Sequence, residues 1–325
     1  MTRLRVGLLG CGGIAARHAG AVAALTDRME LVACCGRDLD RTQAFAETHG
    51  GNAFIDLDKM IDEGVDLVIA TLPPYNRHGE IEHAASRGVH LLVEKPIALS
   101  MESADRMVDA VEAAGVIAAI GFMYRFGDAV RRWRELDSGR PGLYVGGYYC
   151  NALHAHWWRK REMSGGQILE QAIHQVDLIR HLIGEPNTVY SRYANLFHHD
   201  VPGYDVEDLS STIFGWDDGR IASLTASNIA IPGVWHKEWA IMAERITGRF
   251  TSWNDAVLTR TIGEPESETV VGESDPFVTQ LADVADAIMD RREPYIPLRE
   301  GARTLKRALA AVRSAQERRE LRLGD

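Results

Sequence analysis

Arg5-Val6-Gly7-Leu8-Leu9-Gly10-Cys11-Gly12-Gly13-Ile14-Ala15 is the stretch on which the fold turns. Its apolar start predicts a short buried strand, its glycines a tight turn, and the alanine-rich sequence after Gly13 a helix over 14–25. The turn itself matches G-x-G-x-x-A at the passage from a first strand to a first helix. There Gly10 permits the sharp change of direction, Gly12 lets the backbone approach a pyrophosphate, and Ala15 lets the helix pack closely on the sheet. The amides at the helix N-terminus then meet the anion. Without that context the same glycines could equally well be a turn that merely packs.

Strand and helix recur downstream. Apolar runs at 30–35, 52–55, 66–70, 90–93 and 116–120 predict five more strands, with helices between them at 40–48, 57–63, 77–87 and 100–114. Asp40 opens the second helix, Ser100 caps the fifth, and Gly115 closes that helix at its C′ position. Six strands alternating with helices imply an α/β fold, a doubly wound parallel sheet with right-handed crossovers. After Gly121 the rhythm changes. A helix at 128–136 leads into alternating, aromatic-rich stretches at 143–151, 188–196, 209–216, 220–228 and 235–243, which predict an antiparallel or mixed sheet. Helices are expected at 167–183, 277–289 and 298–319, and the domain boundary near Gly121.

The 325 residues exceed the usual size of one hydrophobic core, which fits two domains. At 46% hydrophobic and 25% charged, the composition excludes disordered and collagen-like chains. A formal charge of -10 excludes a broad cationic face for nucleic acid but not a local anion site. No apolar run nears the roughly 18 to 20 residues that cross a bilayer, and the first residues lack the apolar stretch of a signal peptide, so the expected location is the cytoplasm. Cys11, Cys34, Cys35 and Cys150 have neither framework nor metal-ligand spacing and are expected to be reduced small hydrophobes.

Five places carry candidate chemistry. At the tip of the second strand stand Gly36, Arg37 and Asp38, with Arg41 a helical turn beyond. A carboxylate there usually accepts from a ribose 2′-hydroxyl, whereas a guanidinium suits a 2′-phosphate. Arg37 favours NADP; NAD is the alternative if Asp38 turns inward. The fourth strand ends in Thr71-Leu72-Pro73-Pro74 and the fifth in Glu94-Lys95-Pro96, where an ammonium could give or take a proton or simply pair with Glu94. After Gly165-Gly166, Glu170 and His174 stand four apart on the expected helix, so carboxylate and imidazole would share a face, with Gln171 and Gln175 on the next stripe. A buried, satisfied histidine is the bland alternative. His154, His156, Trp157, Trp158 and Arg159 could stack on a ribose or a sugar, or only pack. No ligand pattern for a metal accompanies them.

Taken in order, Gly10-x-Gly12-x-x-Ala15, the 71–74 turn, Glu94-Lys95-Pro96, Tyr124-Arg125-Phe126 and Gly165-Gly166 leading to Glu170-x-x-x-His174 resemble the Gfo/Idh/MocA family (glucose-fructose oxidoreductase, inositol dehydrogenase) over essentially the whole chain. The resemblance implies an NAD(P)-binding Rossmann domain over 1–121. It also implies a substrate-binding and oligomerisation α/β domain over 122–325, with a large open-faced, mainly antiparallel sheet that mediates homodimers or homotetramers. The activity it implies is hydride transfer between nicotinamide and a hydroxyl or carbonyl carbon of a sugar, cyclitol or related polyol. Lys95 would then transfer the proton, with His174 and Glu170 in support; Glu170 stands where the family commonly has the shorter Asp. Cofactor contacts are expected from Gly10, Gly12, Gly13, Ile14, Arg37, Thr71, Leu72, Pro73, His78, Glu94, Lys95, Trp158 and Arg159. Substrate contacts are expected from Lys95, Tyr124, Arg125, His154, Trp157, Gln167, Glu170, Gln171 and His174. The same resemblance admits an NAD-dependent glycosidase working by transient C3 oxidation, or a non-catalytic NADP-sensing regulator.

Overall fold

The computed structural model describes residues 3–151 and 155–324. Its first eleven elements are β1 (Leu4–Leu9), α1 (Gly13–Ala24), β2 (Met29–Cys35), α2 (Leu39–His49), β3 (Asn52–Phe54), α3 (Leu57–Asp62), β4 (Leu67–Ala70), α4 (Glu80–Ser86), β5 (His90–Val93), α5 (Met101–Ala114) and β6 (Ala118–Ile120). The strands form one parallel sheet in the order β3-β2-β1-β4-β5-β6, the doubly wound arrangement read from the sequence. Strands covered on both faces read as continuous apolar runs, and Val6, Leu8, Leu67, Ile69, Leu91 and Val93 are fully buried. Local signals set the helix ends: Asp38, Asp56 and Ser100 accept from the N–H groups of Arg41, Lys59 and Ser103, and Gly115 closes α5 in the left-handed region. Two starts differ from expectation. Asp38, not Asp40, caps α2, and the helix expected from Arg77 begins only at Glu80, after Gly79 at φ 123°.

There follow α6 (Asp128–Glu135), β7 (Pro141–Tyr149), α7 (Arg161–Ser164), α8 (Gln167–Glu170), α9 (Ile173–Leu182), β8 (Thr188–Ala194), β9 (Leu209–Gly215), β10 (Ile221–Ser227), β11 (His236–Ala243), β12 (Ile246–Phe250), β13 (Asp255–Arg260), β14 (Ser267–Val271), α10 (Pro276–Asp290), α11 (Leu298–Glu317) and β15 (Leu321–Arg322). The chain divides into two compact units, Met1–Met123 with Asp275–Arg303, and Tyr124–Ser274 with Thr304–Asp325. The first therefore takes in a later stretch that the linear division near Gly121 leaves out. That stretch is stitched in place by Gln280 donating to Ile120 O (3.0 Å), by Ile120 N–H donating to Ile296 O (3.1 Å) and by the Arg28–Asp286 ion pair (2.7 Å).

The second unit is built on a nine-stranded sheet, β14-β13-β12-β11-β7-β10-β9-β8-β15, antiparallel except where β7 and β10 run parallel. Of its strands β12 to β15 were not expected; β14, Ser-Glu-Thr-Val-Val, is a mostly exposed edge and lacks the alternation that a buried face imposes. On the inner face Tyr144, Gly146 and Tyr148 of β7 are buried, and a Cβ on Gly146 would stand 2.8 Å from Gln175 Oε1, so α9 lies close against the sheet there. Register puts Val145, Ile213, Ile221, Val257 and Val271 together on the opposite face, each 40–75% exposed. All four cysteines are free, and Cys34, Cys35 and Cys150 are buried.

Beneath the inner face, Arg125 grips Asp177 through two hydrogen bonds (2.6 and 2.7 Å), and Thr304 donates to the same carboxylate (3.1 Å). Removing one partner of a buried pair strands the other charge. Asp177→Ala is expected to cost about 3–5 kcal/mol, read from denaturant unfolding, and a loss below about 1 kcal/mol would contradict this account.

Candidate functional site

The first unit gathers its candidate residues at the carboxyl ends of β1, β2, β4 and β5. Strand order reverses about β1, and ligands of open α/β sheets bind at that switch point. Gly10 has φ +101°, and a Cβ there would meet Thr71 Oγ1 at 2.7 Å. The glycine is thus demanded twice, by conformation and by space. Thr71 in turn donates its hydroxyl to the carbonyls of Leu9 and Gly10 (3.1 Å each), so it shapes the loop. Around Gly12 and Gly13 a Cβ would meet nothing within 4 Å; both are exposed, as is Ile14. No side chain caps α1 and no acid stands in its first turn. Open backbone donors at a positive helix end fit a pyrophosphate.

At the β2 tip Asp38 spends a carboxylate oxygen on the Arg41 N–H (3.0 Å). Gly36 has a packing role, because a Cβ would stand 2.3 Å from Thr42 Oγ1, and Thr42 is buried against the Asp38 carbonyl. Arg37 and Arg41 are exposed. Leu72 and Pro73 line the turn after β4, and His78 is exposed beyond it. Glu94 is buried and turned inward, its Oε1 2.8 Å from His18 Nε2, while Oε2 accepts from the Lys95 N–H (3.1 Å); Lys95 itself is half-buried.

In the second unit Gly165 and Gly166 have φ of 77° and 97°, and a Cβ on Gly166 would strike Glu207. That buried carboxylate accepts from the Ile168 N–H (3.0 Å) and pairs with Arg161 (2.6 Å), which fixes the start of α8. The continuous helix expected over 167–183 is interrupted. Ala172 N–H donates to Gln167 O, five residues back (3.0 Å), before α9 begins. Such an i→i−5 step inserts a residue into the turn, so four-residue spacing no longer sets how Glu170 and His174 face. Tertiary contacts do. The His174 ring stacks on Tyr124 at 4.3 Å and 6°, and Tyr124 lies against Trp253 at 4.7 Å. Glu170 is buried nearby. Burial first, with the Glu170 charge adding to it, holds the Tyr124 and Tyr148 phenols well above the usual range and the Cys150 thiol up at about 12. All three are therefore neutral at physiological pH.

Lys237, which sequence reasoning missed, stands opposite Tyr148 across β11 and β7 with its Nζ 5.1–6.0 Å from the rings of Trp253, Tyr148, Trp235 and Tyr124. The alternation Trp235-x-Lys237-x-Trp239 was visible, but only strand register says which face it shares. Other expected residues are committed elsewhere. Arg125 is buried against Asp177. Gln167 donates to Ser210 Oγ (3.2 Å) and accepts from the Asn228 N–H (3.1 Å), and Gln171 accepts from Cys150 Sγ (3.5 Å). Trp158 meets Trp157 and Trp235 edge-on at 5.6 Å, and the Arg159 carbonyl accepts from the Asp205 N–H. His154 lies outside the described residues.

Residues 4–122 match the family model for the oxidoreductase family with NAD-binding Rossmann fold, and residues 133–247 match the GFO/IDH/MocA C-terminal domain. The chain belongs to the Gfo/Idh/MocA family. Over 122 residues this family member is 34% identical to glucose-6-phosphate 3-dehydrogenase of Bacillus subtilis (strain 168), a stretch covering 38% of this chain and 34% of that one. It is 29% identical over 233 residues to scyllo-inositol 2-dehydrogenase (NAD(+)) of the same organism, covering 69% and 67%. The chain thus spans about a third to two thirds of these relatives' lengths. Levoglucosan dehydrogenase, solved in complex with NADH and levoglucosan, shares the fold at TM-score 0.91 over the whole of both chains with 19% identity. The ordered motifs therefore identified the family correctly.

Because Gly10 leaves no room for a methyl group, Gly10→Ala should raise the dissociation constant of NAD(H) or NADP(H) by about ten-fold or more, measured by fluorescence titration; unchanged affinity would contradict the loop geometry.

Proposed function

We propose that the protein is an NAD(P)-dependent dehydrogenase of a sugar, cyclitol or related polyol. The uncapped first turn of α1 at the β1/β4 switch point carries this reading, supported by two relatives named as dehydrogenases of a sugar phosphate and of an inositol. When bound, the nicotinamide supplies the hydride acceptor or donor. The chain's own part is to hold the pyrophosphate on the Gly12 to Ile14 turn and to move a proton. In the first unit Lys95 takes the proton from the substrate hydroxyl, or returns it in the reverse direction, and in the second unit His174 and Glu170 are the proposed supporting residues. The protonated phenols of Tyr124 and Tyr148 are neutral donors within the second unit, and a polyol needs such donors beside acceptors.

A screen at 340 nm of scyllo-inositol, D-glucose 6-phosphate and levoglucosan, each with NAD and NADP, tests the reading. Net reduction of cofactor by at least one polyol is expected, and Lys95→Ala should lower kcat by about a thousand-fold with cofactor affinity kept within about three-fold. Turnover unchanged in that variant would remove Lys95 from the chemistry. Cleavage of an aryl glycoside without net cofactor reduction would replace the dehydrogenase with the glycosidase reading.

NADP is the proposed preference, since Asp38 is engaged in capping while Arg37 and Arg41 are exposed at the same tip. Arg37→Ala should cut kcat/KM with NADP by about ten-fold and with NAD by no more than about two-fold; a ten-fold preference of the unaltered protein for NAD, about 1.4 kcal/mol, would overturn the assignment. The exposed apolar face with Val145, Ile213, Ile221, Val257 and Val271 is the proposed contact between copies of the chain. Light scattering should then give a dimer or tetramer, and a monomer at about 10 µM would overturn it.

A further inference from the structure

Arg77 follows β4 in the first unit and is only 6% exposed. Its Nε and one Nη donate to Leu72 O (3.1 and 2.8 Å), and that Nη also donates to Glu94 O (2.8 Å). The other Nη donates to Pro96 O and to Ile97 O (2.7 Å). A guanidinium has five N–H donors, and here all five are used. Every acceptor is a main-chain carbonyl outside the strands and helices, where regular structure provides no partner. Burial draws the group down to about 10, so it stays charged at neutral pH. Such a buried cation persists when a full set of acceptors offsets its desolvation.

Three of those carbonyls bracket one residue. Glu94 O precedes Lys95, and Pro96 O and Ile97 O follow it. The Lys95 N–H is held as well, by a carboxylate that is itself anchored to His18 of α1 and given room by Gly121, where a Cβ would come within 2.9 Å of Glu94 Cδ. The side chain of Lys95 therefore leaves from a main chain restrained on both sides. Lysine at position 77 would offer three donors in place of a rigid fork of five, and methionine none.

We propose that Arg77 is the positioning residue for Lys95, tying the 94–97 turn to the Leu72 carbonyl and so setting where the ammonium reaches. This rests on the proton-transfer reading of Lys95. The test uses the full chain as Arg77→Met, Arg77→Lys, Lys95→Ala and the Arg77→Met/Lys95→Ala double variant, with the polyol turned over fastest in the screen above as probe. Arg77→Met should lower kcat by about a hundred-fold, keep dinucleotide affinity within about three-fold, and speed amide hydrogen exchange in the 94–97 peptide by about ten-fold. Arg77→Lys should recover part of the loss and end about ten-fold below the unaltered protein.

Since Arg77 acts through Lys95, the double variant should be no slower than Lys95→Ala within about three-fold. Multiplying losses would overturn the proposal. So would unaltered kcat or unaltered exchange in Arg77→Met with Lys95→Ala inactive, which would leave the Lys95 reading standing. Full activity of Lys95→Ala would instead remove that reading, and the proposal with it. If Arg77→Met fails to fold, Arg77→Lys decides by itself, and kcat equal to that of the unaltered protein then overturns the proposal.

Discussion

The pairing of β1 with two neighbours at once is the constraint on which the first unit depends. Leu9 lies level with Cys35 on one side and Ala70 on the other, so three strand tips end together and the chain order reverses about β1. The loops leaving those tips diverge and open a crevice beyond the carboxyl ends. Thr71 then bridges the gap to the carbonyls of Leu9 and Gly10, and its closeness is why position 10 is a glycine. The same crowding does not reach Gly12 and Gly13, so backbone donors remain open where an anion would sit. Fully buried strands beneath give the crevice a stiff floor.

Buried carboxylates organise both units, and each has identified work. Glu94 anchors the Lys95 main chain and Glu207 the start of α8. Asp177 gathers Arg125 and Thr304, and Asp208 accepts from the consecutive N–H groups of Leu196, Phe197 and His198. Hydrogen bonds of this kind replace the hydration that burial takes from a carboxylate oxygen. Glu170 differs in company. Around it burial keeps Tyr124, Tyr148 and Cys150 neutral, and Lys237 is held among aromatic faces.

Much of this was legible in the residues. The glycine turn, the alternation of apolar runs with capped helices and the change of rhythm after Gly121 each act over a few neighbours, and local propensity reports them. The Asp38 cap was misplaced by two residues only because two aspartates compete there. The break at Gln171-Ala172 was invisible for a different reason: the residues on either side are good helix formers, and packing decided which main-chain donors they use. The later start of α4 has a local cause, Gly79 at φ 123°. Edge strand β14 lacks a buried face and so lacks a pattern.

The sequence by itself determined the fold class and the family, because these follow from short-range periodicity and from the glycine turn, where Gly10 cannot be replaced. Only the tertiary structure decided which polar groups belong together. Arg125 was expected to contact substrate and Arg77 only to begin a helix, yet Arg77 is spent on four loop carbonyls and Arg125 on Asp177. Lys237 joins Tyr124 and Tyr148 through the register of β11 on β7. Arg125 and Lys237 meet partners about fifty to about a hundred residues away, and no window of local sequence records such a partner.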